Sequence, residues 1–109
     1  MPVGALTSIA HRASGILLAC GLPFGVYLLD LSLRGPQFFM RVAQLTGSPV
    51  FRLAAFVMVW ALAHHLLAGI RHLLSDVDVG SALPAARRSA WLVNLASGGM
   101  ALLAACVLL

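Results

Sequence analysis

The chain has 109 residues, 61% of them hydrophobic and 9% charged, with no lysine and no glutamate. A water-soluble domain of this length could not cover so much apolar surface, because small domains carry a high ratio of surface to volume. The formal net charge of +4 comes from seven arginines scattered at the ends of apolar runs, where cationic side chains suit a membrane interface; it is not a nucleic-acid signature.

Composition and pattern therefore predict one all-α integral membrane domain over residues 1–109, with three transmembrane helices running up-down-up. Residues 1–13 read as a short polar start ending in His11 and Arg12. The apolar run Ser14–Leu33 follows, and about 20 residues at 1.5 Å rise cross a hydrocarbon core of roughly 30 Å. Pro23 and the glycines would kink a soluble helix, but membrane helices tolerate them when packed against neighbours. A secretory or lipoprotein signal is the competing reading, suggested by the basic start and by Leu17-Leu18-Ala19-Cys20, but the run continues well past Cys20.

Arg34-Gly35-Pro36 closes the first span. Between Gln37 and Thr46, Phe38, Phe39, Val42 and Leu45 recur at helical spacing, which fits a short helix in the interface plane or an ordinary connecting loop. Gly47-Ser48-Pro49 makes a turn. The second span is expected over Val50–Leu74 and the third from Ala90 to Leu109. The polar stretch between them holds Gly80 and Pro84 as breakers, and Arg87 and Arg88 anchor the start of the third span. Cys20 and Cys106 each lie inside an apolar run and form no CxxC pattern, so they read as packing residues. Arg12, Arg71, Arg87 and Arg88 fall on one side of the membrane and Arg34, Arg41 and Arg52 on the other. The positive-inside rule then puts the N-terminus in the cytoplasm, by four to three.

The chemistry gathers in His64–Asp76, HHLLAGIRHLLSD. Polar groups in an apolar helix are costly and mark a functional site by default. The up-down-up arrangement brings Ser8, His11 and Arg12 level with Arg71, His72 and Asp76. His65 and His72 share a helix face, with His65 about 10 Å deeper, and Gly69 lies on the same stripe. A buried neutral imidazole beside a glycine gap is what a haem iron needs, and Arg12, Arg71 or a protonated His72 or His11 could meet the propionates. Simpler readings stand beside these. A histidine in a membrane helix also serves as a hydrogen bond between helices, more so for His64 than for His65. Arg12 and Arg71 also serve as interfacial anchors, and Asp30 reads as interfacial. No Cys or His spacing suits a closed zinc site.

Ser8–Gly15, SIAHRASG, resembles the S-I-x-H-R-x-[ST]-G signature of the cytochrome b anchor subunit of succinate dehydrogenase. His64–Asp76 resembles that family's second signature, H-x-x-x-G-x-R-H-[LM]-x-x-D, and Ala86–Ala90 at the third span also fits. The resemblance implies a place in respiratory complex II, in a bacterial inner membrane. The partners it implies are a flavoprotein, an iron–sulfur protein and a second small anchor subunit completing the helical bundle. It further implies haem b with His65 as axial ligand, and ubiquinone or menaquinone bound at Ser8 and Arg12. His11, Arg71 and His72 match positions around the haem propionates, and Asp76 matches the motif aspartate at the quinone end. The isolated chain is expected to perform no catalysis. A six-coordinate haem needs a second ligand, whereas His11 is expected at the interface above His65, and His64 points about 100° away on the same helix. The sister subunit should therefore supply it. The family's usual segment before the first signature reads as missing or very short. A haem-free structural anchor and the anchor of a quinol:fumarate reductase are the alternative readings.

Overall fold

The computed structural model describes residues 2–109, which form α1 (Val3–Ser32), α2 (Pro36–Thr46), α3 (Pro49–Asp76) and α4 (Leu83–Leu108). At 30, 28 and 26 residues, α1, α3 and α4 are each long and apolar enough to cross a membrane. The chain is an all-α, multi-pass membrane protein, and no strand occurs among the described residues. α3 packs against both α1 and α4. Gly15 meets His65 while Gly4 meets Arg71, and Arg71 reaches Ser89 while His64 reaches Asn94. Both pairs of helices are therefore antiparallel, which is the expected up-down-up order.

Two helices begin earlier than their hydropathy suggests. α1 starts at Val3 rather than after a polar segment ending at residue 13. Thr7, buried in the bundle, shares its hydroxyl proton between Val3 O at 2.9 Å, one turn back, and Asn94 Oδ1 at 3.2 Å, so it presents no bare polar group to lipid. α4 starts at Leu83 rather than Ala90. Pro84 sits in its first turn, where the missing N–H is one that no helix uses, so this proline opens the helix instead of breaking it. The link before it turns through Asp78 and Gly80, both left-handed at φ 62° and 72°, a conformation that glycine and short polar residues accept.

The 37–46 stretch forms a helix, opened by Pro36. Phe38 and Val42, one turn apart, are its half-buried residues, and the rest of α2 is exposed. Ser48 caps α3, its Oγ accepting from the Phe51 N–H at 3.2 Å.

The interior is built from small residues. α4 buries Ala90, Val93, Ser97, Ala101 and Ala104, and α3 buries Ala61, His64 and Ala68. The intervals of three and four residues place each set on one face. Without a hydrophobic force between helices in lipid, close backbone approach and buried hydrogen bonds do the joining. Asn94 on α4 supplies the central bond. Its Oδ1 lies 3.2 Å from His64 Nε2 on α3 and 3.2 Å from Thr7 Oγ1 on α1, so one amide ties three helices. His64 is thus an interhelical contact, with Trp60 tilted against its ring at 5.3 Å between centroids. Larger apolar side chains point outward, as with Ile16 at 67% and Leu102 at 71% exposed, a surface suited to lipid or to another membrane subunit.

Asn94→Leu leaves His64 and Thr7 without their shared partner. It should destabilise the folded chain by about 1 kcal/mol, read as a lower midpoint of thermal unfolding in detergent. An unchanged midpoint would mean that Asn94 does not join the helices.

Candidate functional site

The site lies on the seam between α1 and α3, and Gly15 determines how closely its groups approach. A Cβ placed on Gly15 would stand 3.1 Å from His65 Cε1, and one on Gly69 would stand 3.7 Å from His11 Nε2. Each glycine therefore faces an imidazole of the opposite helix. In the space they leave, the His11 and His65 rings stack, with centroids 4.3 Å apart and planes 6° from parallel. This differs from the expected placement of His11 at the interface above His65. The cause is the early start of α1, which carries His11 two turns into the helix and down to the level of His65.

Above the stack, a cleft of about 220 Å³ is lined by Ser8, His11, Arg12, Arg71 and His72, with buried Thr7 and Ala68 behind them. Five of the seven residues singled out by the sequence thus converge here, and His65 stacks directly on one of the five. Ser8, Arg12 and His72 are exposed, while His11 and Arg71 are half-buried. Asp76 is not among the lining residues. It is the last residue of α3, one turn past His72, at the level where α1 has run out.

Arg71 is braced from the far side. Its Nε donates to Ser89 Oγ at 3.0 Å and its Nη2 to Ala86 O at 3.2 Å, both on the first two turns of α4. No acidic side chain lines the cleft. Asp30 instead pairs with Arg34 at 2.6 Å at the other end of α1, on the exposed surface. The cleft is therefore a cationic recess open to one side, suited to carboxylates or to oxygens that gain negative charge.

The residues also fit a haem. Each of the two adjacent histidines engages one ring nitrogen: His64 is fully buried, its Nε2 bonded to Asn94 and its Nδ1 enclosed without a partner, whereas His65, half-buried on the seam, engages Nδ1 with Ser14 Oγ and His11 O. His65 Nε2 makes no hydrogen bond among the described residues, which leaves one ring nitrogen for a metal. Arg12 and Arg71 supply cations on the same seam, beside His72.

Ser14, Thr7, Ser89 and Asn94 were not singled out from sequence. Asn94 carried the clearest signal, being the chain's one asparagine, inside an apolar run. The small hydroxyls carried almost none, since serine and threonine are ordinary in membrane helices.

Fold and site together define a multi-pass helical membrane protein in which Ser8, His11, Arg12, Arg71 and His72 converge at one end of the bundle. The chain belongs to the succinate dehydrogenase/fumarate reductase transmembrane subunit family, which it matches over residues 1–105. It is 36% identical over 97 residues to the succinate dehydrogenase cytochrome b556 subunit of Coxiella burnetii, covering 88% of this chain and 78% of that one. To the mitochondrial cytochrome b560 subunit of Mus musculus it is 40% identical over 106 residues, covering 88% of this chain and 60% of that one. To the b556 subunit of Paracoccus denitrificans it is 32% identical over 89 residues, covering 82% and 68% respectively.

Gly15→Leu should force α1 and α3 apart, because even a Cβ at this position crowds the His65 ring. The expected result is a lower thermal midpoint, by roughly 1–3 kcal/mol of overpacking strain. A midpoint equal to wild type would show that the seam is looser than the ring stacking indicates.

Proposed function

We propose that this chain is the membrane-anchoring cytochrome b subunit of a succinate:quinone oxidoreductase, with His65 as an axial ligand of haem b and with Ser8 and Arg12 forming part of the quinone site. The cation-lined cleft beside the His11–His65 stack carries this reading. Flavoprotein and iron–sulfur subunits would oxidise succinate and deliver electrons, and a second small anchor subunit would close the open side of the cleft. A bacterial cytoplasmic membrane, with the N-terminus on the cytoplasmic side, fits the arginine distribution.

On this reading the Arg12 guanidinium and the Ser8 hydroxyl donate hydrogen bonds to the oxygens of ubiquinone or menaquinone. They offset the negative charge that builds there as electrons arrive. Both are exposed on α1, so they can face a ligand held between this chain and its neighbour. Arg71, fixed by α4, and His72 and His11 present positive or hydrogen-bonding groups to the haem propionates. Asp76 stays at the quinone end, outside the cleft, as a structural residue. Haem b, when bound, supplies a one-electron store whose potential depends on its axial ligands and surroundings.

The second axial ligand is assigned to the sister subunit. Within this chain His64 is held to α4 by Asn94 with its other ring nitrogen enclosed in the bundle, and the His11 ring lies flat on that of His65. Family membership also admits a fumarate reductase anchor. The relatives' names, all succinate dehydrogenase subunits, favour the succinate direction.

A reduced-minus-oxidised absorption spectrum of the complex purified through this chain should show a b-type signal, lost or altered in His65→Ala. An intact complex without haem would withdraw the haem assignment and leave a structural anchor. Separately, Arg12→Leu should lower quinone reduction by two orders of magnitude or so, the scale of removing one donor to a developing oxyanion. Succinate oxidation with artificial acceptors should persist. Normal quinone reduction by Arg12→Leu would move the quinone site elsewhere.

A further inference from the structure

We propose that Ser14 is a positioning residue for His65: its hydroxyl, with the backbone carbonyl of His11, holds the proton on His65 Nδ1 and so presents Nε2 as the free ligating nitrogen. This inference rests on the reading of His65 as a haem ligand and adds the device that prepares it.

Ser14 is fully buried and sits one residue before Gly15, against which the His65 ring packs. Its Oγ donates to His11 O at 2.8 Å and lies 3.3 Å from His65 Nδ1. His11 O lies 3.3 Å from the same Nδ1. A backbone carbonyl has no proton to give. With the hydroxyl proton directed to His11 O, Ser14 Oγ also turns only lone pairs toward the ring. Both neighbours of Nδ1 are therefore acceptors, and Nδ1 must carry the proton. The opposite arrangement would give up the 2.8 Å bond and set the Nδ1 lone pair against the carbonyl oxygen. Two equal distances of 3.3 Å are what one N–H shared between two acceptors produces.

Ring orientation is constrained as well. The His11 imidazole covers one face of His65 in a nearly parallel stack, so the plane is held while Ser14 and the carbonyl fix the rotation about it. All three restraints come from one turn of α1, His11–Ser14, acting on a residue of α3. A ligating histidine whose other N–H is held in this way is a stronger donor to its metal and loses less freedom on binding.

The test uses the complex purified through this chain, as wild type, Ser14→Ala, Ser14→Thr and His65→Ala. It measures haem dissociation, the haem midpoint potential, the low-spin electron paramagnetic resonance signal and the thermal midpoint of the assembly. Ser14→Ala should weaken haem retention about 10-fold, the usual scale for losing such a partner. Its midpoint potential should rise, because the imidazole donates less to ferric iron, and its resonance signal should broaden as the ring plane loosens. Ser14→Thr keeps the hydroxyl and should restore all three toward wild type. Ser14→Ala with wild-type haem retention and potential overturns the proposal, and if His65→Ala still loses haem, the ligand assignment survives that result. Equal loss in Ser14→Ala and Ser14→Thr, with a lowered thermal midpoint, would make Ser14 a packing residue and also overturns it. A wild-type complex without haem removes both readings together.

Discussion

The structure depends on how closely α1 and α3 approach along the Gly15–His65 and Gly69–His11 contacts. In lipid there is little hydrophobic gain from bringing two apolar helices together, so the approach must come from close packing and buried hydrogen bonds. Gly15 opposite His65 provides the first, and the Ser14, His11 and His65 contacts provide the second. This seam sets the register, and the register decides which polar residues meet. His11 is brought level with His65, and Thr7 and Ser8 level with Arg71 and His72. On the other flank Asn94 fixes α4, and the Ser89 hydroxyl and Ala86 carbonyl steady the arginine that faces the cleft.

Electrostatic economy follows from the same geometry. The chain has seven arginines and three aspartates, and the three carboxylates lie away from the cleft. One is neutralised by Arg34 on the exposed surface, and the other two close α3 and occupy the turn after it. The cleft keeps its positive character because nothing acidic competes for its arginines, which would otherwise pair internally and lose their reach toward a ligand.

Much of this was legible in the sequence, because a span of about 20 apolar residues has one stable form in a bilayer. Three spans, their antiparallel order and the gathering of Ser8, His11, Arg12, Arg71 and His72 follow from hydropathy and simple topology, while the pattern over residues 37–46 left helix and loop both open. The starts of α1 and α4 did not. Hydropathy treats Thr7, His11 and Pro84 as signals of exposure, whereas Thr7 bonds back to its own helix and Pro84 opens one. The level of His11 was missed for the same reason: read as part of a polar start it is placed at the interface, whereas as part of α1 it lies one turn before Gly15 and beside His65. The polar contacts made by Ser14 and Asn94 depend on which faces meet, and that information resides in pairs of helices rather than in any one of them.

The adjacency of His64 and His65 has a mechanical consequence. Neighbouring residues on a helix are about 100° apart, and here one imidazole engages α4 through Asn94 while the next engages α1 through Ser14 and His11. The pair works like a key with two teeth in two different locks: α3 has one azimuth at which both engage. A rotation that favours one neighbour withdraws the other, so α3 cannot slide or roll to follow a partner that binds only one side of the bundle. Any such partner must accept the angle at which this helix already stands.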